Sequence, residues 1–155
     1  GAGNVVGIRL RSFTGKKWAV KGSRNGIFIP NPALVEHGDP LVICEGPTDL
    51  SALLDLGLDA LARPDNLGGV DALRSYLGRH ARRDVVIVHD RDDPGSVAEV
   101  ATKHGAVMLA EAIAPLCKGV KVFAPHAKDI REWYKKGLDR DTFMCVANNA
   151  FFFSA

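Results

Sequence analysis

Short apolar runs alternate with helical patterns along most of the chain from residue 41 onward. The runs at residues 41–45 and 85–89 are rich in β-branched side chains and are bounded by polar residues, Gly and Pro. This pattern predicts strands buried in a parallel sheet. Two further strands are predicted at residues 58–62 and 119–123.

Helical patterns separate these strands. Predicted helices cover residues 50–56, 70–78, 106–117 and 130–136, and a last one runs from about residue 140 to 147. Thr48 or Asp49 is expected to cap the first helix, Asp129 the fourth, and Asp139 or Asp141 the last. Residues 90–103 are predicted as a loop with one helical turn. The alternation indicates an α/β fold, Rossmann-like and compact, with a mainly parallel four-stranded sheet flanked by helices.

The first thirty residues have a different composition. They contain six cations and no Asp or Glu, and three short strands are predicted at residues 5–11, 18–21 and 27–29. We expect a small antiparallel β segment with Trp18 and Phe28 in its core. Its basic face is either solvated or binds nucleic-acid phosphates. The cations are Arg9, Arg11, Lys16, Lys17, Lys21 and Arg24. The predicted organisation is a basic extension (1–36), an α/β domain (37–137), and a C-terminal helix and tail (138–155).

Composition adds few constraints on function. The 155 residues carry a formal net charge of +2, so total charge does not identify a partner. Cys44, Cys117 and Cys145 are too far apart for a CxxC zinc site or a disulfide framework, which favours a reducing, cytoplasmic compartment. No apolar run approaches the ~20 residues of a membrane helix, so no membrane partner is expected.

Acidic residues follow two of the predicted strands. Glu45 ends the first strand, and Asp90 and Asp92 follow the third. Ligands of open α/β sheets bind beyond the carboxyl ends of the strands, so these three carboxylates are expected to meet there. Their mutual repulsion calls for a cation, and hard oxygen ligands suit Mg²⁺, with Mn²⁺ as a substitute. Glu45 would bind metal or act as general acid or base.

Five neighbouring residues are candidate supports for this site. Gly46 permits a sharp turn beside the metal, and Asp49 either orients its neighbours or caps a helix. Asp93 points away from the metal unless the chain turns at Pro94. Lys128 and Asp129 follow the fourth strand. There, Lys128 is either solvated or pairs with phosphate, and Asp129 is either a helix cap or a ligand.

The motifs Glu45-Gly-Pro-Thr-Asp49 and Asp90-Arg-Asp92 together resemble those of the Toprim family of primases, topoisomerases and nucleases. The resemblance covers about residues 39–136. It is strongest to bacterial and phage primases, in which a basic β segment precedes the domain and a Lys-Asp pair, here Lys128-Asp129, follows the fourth strand. Residues 96–103 differ from the primase pattern and look like an insertion.

The resemblance implies a Toprim fold and Mg²⁺-dependent nucleotidyl transfer, with Glu45, Asp90 and Asp92 as catalytic metal ligands. It also implies DNA and nucleotides as partners, in DNA replication, and zinc-binding or helicase domains elsewhere in a larger protein. Three alternatives stay open. They are strand cleavage by a Toprim nuclease or topoisomerase, a non-catalytic DNA-binding module, and a receiver-like domain phosphorylated on aspartate.

Overall fold

The computed structural model describes residues 6–30 and 40–153, which form a Rossmann-like α/β fold. A five-stranded sheet has the order β4-β3-β5-β6-β7, in which only β7 runs antiparallel to its neighbour. Its strands are β3 (Leu41–Glu45), β4 (Ala60–Arg63), β5 (Asp84–Val88), β6 (Gly119–Phe123) and β7 (Phe151–Phe153). The helices are α1 (Pro47–Asp55), α2 (Val70–Leu77), α3 (Val97–Ile113), α4 (Ile130–Lys135) and α5 (Arg140–Asn148). The predicted α/β fold is therefore confirmed.

Helices cover both faces of this sheet, which explains why its central strands, β3 and β5, are apolar except for one charged residue at one end of each. Along β3, Val42 and Cys44 enter the core beneath α1, α4 and α5, whereas Leu41 and Ile43 enter the core beneath α2 and α3. Successive side chains of a strand point to opposite faces, so a strand buried on both sides must be continuously hydrophobic.

The structure corrects the predicted start of α1. Gly46 occupies the N-cap position with φ 84°, Pro47 is in the first turn, and no side chain caps the helix. The predicted cap by Thr48 or Asp49 is wrong because the N-cap, Gly46, lies two or three residues earlier than expected. A Pro at the start of a helix gives up an N–H that would have no helical partner anyway.

Helix α3 is longer than predicted, because it begins at Val97 and not at residue 106. The Ser96 side chain accepts a hydrogen bond from the Glu99 N–H (3.0 Å), and Glu99 accepts one from the Gly95 N–H (2.7 Å). These reciprocal bonds make Ser96-Val-Ala-Glu99 a helix N-terminus of the capping-box type. Helix α3 therefore starts soon after Asp90-Arg-Asp92, and the predicted loop at residues 90–103 ends at residue 96.

The predicted three-stranded β segment is a two-stranded hairpin. Strands β1 (Arg9–Arg11) and β2 (Lys17–Ala19) pair antiparallel, whereas Phe28 forms an isolated bridge to Ala62 of β4. Phe28 therefore packs against the main core. The prediction that Trp18 lies in a core is wrong. Trp18 is 44% exposed.

The C-terminal residues extend the sheet beyond the four predicted strands. β7 pairs with β6, and Phe143 and Ala147 of α5 are fully buried in the core. The proposed boundary between residues 36 and 37 lies outside the described residues. Within the described ranges, no helix has both the length and the apolar character needed to cross a membrane.

Candidate functional site

Glu45 and Arg63 end the two neighbouring parallel strands β3 and β4 and are register partners. The Arg63 Nη2 atom lies 3.5 Å from Glu45 Oε1 in an ion pair that is nearly inaccessible, with side-chain exposures of 2% and 13%. The contact lacks hydrogen-bond geometry, so Glu45 Oε1 is a buried oxygen to which no group donates a hydrogen bond. Buried acceptors of this kind are rare and often mark a place where a water or an ion binds.

Burial raises the pKa of Glu45 to about 7. The Arg63 charge opposes this rise, whereas the negative charges of Asp90 and Asp92 add to it. Both aspartates therefore act electrostatically on Glu45 from the end of the neighbouring strand. A carboxyl group with a pKa near 7 exchanges protons readily at neutral pH, as a general acid or base must.

Asp92 is held by helix α3. Its Oδ2 atom accepts a hydrogen bond from the Thr102 hydroxyl (2.8 Å), and Thr102 is 5% exposed. Asp90 is half-buried, and its charge also contributes to the raised pKa of Asp49. The loop that carries both aspartates turns at Gly95, whose φ of 77° is one that side-chain-bearing residues rarely adopt.

Within the described ranges, no group of three or more His, Cys, Asp or Glu side chains is arranged to hold a metal ion. Arg63 forms an ion pair with Glu45, and the Thr102 hydroxyl donates a hydrogen bond to Asp92. Mg²⁺ commonly uses only one or two carboxylates and takes its other ligands from water and substrate phosphate. The carboxylates of Glu45, Asp90 and Asp92 supply oxygen donors of the hard type that such an ion prefers.

Asp49 caps no helix of its own but contacts the start of α4. It is 4% exposed, and its Oδ1 atom accepts a hydrogen bond from the Arg131 main-chain N–H (2.9 Å). Burial raises the pKa of Asp49 to about 7 against the lowering effect of this hydrogen bond, and the charges of Asp129 and Asp90 add to the rise. Asp49 thus joins the cluster of interacting carboxylates.

Two of the remaining candidates have structural roles. Asp129 caps α4 by accepting a hydrogen bond from the Glu132 N–H (2.6 Å), as predicted. Gly46 has the positive φ expected at a sharp turn. Lys128 and Asp93 are exposed, and the Lys128 carbonyl accepts a hydrogen bond from the Arg91 N–H (2.7 Å). This bond connects the loops that follow β5 and β6.

The predicted basic face lies on the β1–β2 hairpin and the turns beside it. Arg9 forms an ion pair with Asp65 (3.2 Å), which connects the hairpin to the loop after β4. Lys17 lies in β2, and four cations are exposed to solvent: Arg11, Lys16, Lys21 and Arg24. Phe13, in the β1–β2 turn, is fully exposed. The hairpin therefore presents positive charge and aromatic surface together.

Sequence reasoning missed Arg63 and Thr102. The sequence does contain a signal for Arg63. The two strands of a βαβ unit pair in parallel, so an Arg at the end of the second strand lies beside the residue at the end of the first strand, here Glu45. Thr102 gave no such signal, because the pattern of residues 97–102 predicts a single helical turn within a loop and not the long helix that contacts Asp92.

Comparisons with protein-family models, with curated proteins and with solved structures found no match to this chain, so its likeness to other proteins depends on the residues described above.

Proposed function

We propose that this chain is a Toprim-like domain of a nucleic-acid-processing enzyme. Its proposed activity is Mg²⁺-dependent nucleotidyl transfer, as in primer synthesis by a primase, within a larger protein. The observation that carries the proposal is the buried Glu45 Oε1 atom, which has no hydrogen-bond partner. Burial, together with the negative charges of Asp90 and Asp92, raises the pKa of this carboxyl group. Strand cleavage of the nuclease or topoisomerase type would use the same residues.

The division of roles follows from burial and charge. Asp90 and Asp92 would hold the ion together with Glu45, and the bound ion would neutralise charge that builds up on a phosphate. Thr102 limits the rotation of the Asp92 carboxylate through its hydrogen bond. Alternatively, Glu45, with its pKa near 7, would move a proton at the sheet edge instead of binding the ion.

A second candidate is a non-catalytic module that holds nucleic acid with its hairpin. Two observations favour it: Glu45 forms an ion pair with Arg63, and Asp92 accepts a hydrogen bond from Thr102. Both carboxylates therefore already interact with other residues of the protein. Removal of the carboxylates distinguishes the two functions. It should abolish metal binding by the enzyme, whereas the non-catalytic module binds no metal with or without these carboxylates.

The variant Asp90→Asn/Asp92→Asn tests the metal site. We expect Mn²⁺ affinity, measured by calorimetry at pH 8, to fall at least about tenfold because the amides carry no charge to offset that of the ion. A matched control, Asp71→Asn/Asp141→Asn, removes two exposed carboxylates that lie outside both motifs and should bind Mn²⁺ like the wild type. Equal affinity in the wild type and the Asp90/Asp92 variant would exclude this metal site.

Nucleic-acid binding by the hairpin can be measured by fluorescence anisotropy with a labelled single-stranded oligonucleotide. Removing three exposed cations, in Arg11→Gln/Lys16→Gln/Lys21→Gln, should weaken binding and flatten its salt dependence. The slope of log K against log salt should fall by about 0.7 for each phosphate that the variant no longer neutralises.

The control for this measurement is Arg79→Gln/Lys118→Gln/Lys135→Gln, which removes the same charge from exposed positions outside the hairpin. If the control changed the slope as much as the hairpin variant, net charge and not the hairpin would account for binding. Asp90→Asn/Asp92→Asn should keep the wild-type salt slope, since the carboxylates neutralise no phosphate.

A further inference from the structure

We propose that Arg63 is a positioning residue for the metal site. Its buried guanidinium, fixed by main-chain carbonyls, holds the Glu45 carboxylate in the arrangement that receives the ion. The inference rests on the proposed function and adds to it a residue that belongs to neither family motif. It starts from an unusual feature, because Arg63 is among the largest fully buried side chains of the described residues.

Two main-chain carbonyls fix the guanidinium. Nη2 donates a hydrogen bond to the Asn66 carbonyl, and Nη1 donates one to the Gly105 carbonyl (3.4 Å). Both acceptors are main-chain oxygens, which have less freedom to move than side chains. The same Nη2 atom lies 3.5 Å from Glu45 Oε1. Because the planar guanidinium has its donors in a fixed arrangement, the two carbonyls also fix the position of the nitrogen that faces Glu45.

Helix α3 thereby supports carboxylates from two different strands. Thr102 bonds directly to Asp92, and three residues later Gly105 bonds through its carbonyl to Arg63. Residues three apart on a helix lie on the same face. A single rigid element therefore sets the orientation of Asp92 and, through Arg63, that of Glu45.

A positioning role predicts a result opposite in sign to that of a simple counter-charge. Arg63 is a positive charge beside the proposed cation site, so by Coulomb repulsion alone its removal should tighten metal binding. If Arg63 instead orients Glu45, its removal should weaken metal binding even though the repulsion is also removed. A purely structural role would change stability and leave the affinity of the folded protein for metal unchanged.

The experiment measures Mn²⁺ affinity by calorimetry at pH 8 for the wild type, Arg63→Met and Arg63→Lys, with folding checked by circular dichroism. We expect Arg63→Met to bind Mn²⁺ at least about tenfold more weakly, as is typical when the partner of a metal ligand is removed. Arg63→Lys should lie between the two, because an ammonium keeps the charge but cannot reach both carbonyls and Glu45 in the same geometry.

Arg63→Lys keeps the inference testable if Arg63→Met does not fold, because it retains the buried charge. Affinity equal to or tighter than that of the wild type in the folded variants would overturn the positioning role. This failure is distinguishable from failure of the proposed function. If the proposed function fails, the wild type will bind Mn²⁺ no more tightly than Asp90→Asn/Asp92→Asn.

Discussion

Gly105→Ala is expected to lower the free energy of unfolding by about 3 kcal/mol. A Cβ at this position of α3 would meet the Asn66 carbonyl oxygen closer than non-bonded atoms approach, and would lie 3.3 Å from Arg63 Nη2. The obstacle is main chain, so no flexible side chain can move aside. Helix propensity alone predicts the reverse, a gain of about 1 kcal/mol, because Ala replaces Gly inside a helix.

Urea unfolding followed by circular dichroism measures this difference. The control is His104→Ala, the preceding and exposed position of the same helix, which should change stability by no more than about 0.5 kcal/mol. A Gly105→Ala protein as stable as the wild type would mean that the loop after β4 yields easily. That loop would then be too soft to anchor Arg63.

The framework of the fold could be predicted because local pattern and tertiary burial agree there. Strands β3 and β5 each contain four consecutive apolar residues because helices cover both faces of the sheet, and such runs can be recognised in the sequence. Their carboxyl ends also locate Glu45 and Asp90 without any knowledge of packing, since parallel strands that neighbour one another end at one edge.

Other features depend on interactions that are distant in sequence. Strand β7 is a run of three Phe residues with no alternation, and only its pairing with β6 defines it as a strand. The first turns of α3 expose Val97 and Val100, so the apolar pattern of an amphipathic helix is absent there. Arg63 lies in an otherwise apolar strand, and its role depends on Gly105, 42 residues away. Local periodicity carries no information about such pairings.

The buried carboxylates give stability an unusual pH dependence. Burial raises the pKa of Asp49 from 3.8 to about 7, and that of Glu45 from 4.5 to about 7. Between these values the folded chain holds protons that the unfolded chain has released. The contribution of both groups to stability therefore falls as the pH rises from about 4 to 7. Above pH 7 both are charged in either state, and the full cost of burying them is present.

Asp49→Asn is therefore expected to stabilise the protein at pH 8, by about 1–4 kcal/mol, since each pKa unit corresponds to about 1.4 kcal/mol. The amide keeps an oxygen that can accept the hydrogen bond from the Arg131 N–H, so the contact with α4 survives while the charge is removed. Near pH 4 the gain should vanish, because the folded wild type is protonated there and carries no charge at this position. Urea unfolding at both pH values in the presence of EDTA measures the difference.

The control for Asp49→Asn is Asp71→Asn, at an exposed position in the first turn of α2. It should be neutral or slightly destabilising at pH 8, because it removes a favourable charge at a helix N-terminus. A loss of stability at pH 8 in Asp49→Asn would mean that the folded protein requires the Asp49 charge. Burial of the charged Asp49 carboxylate would then stabilise the folded chain, whereas a pKa raised by burial requires that it destabilise the folded chain.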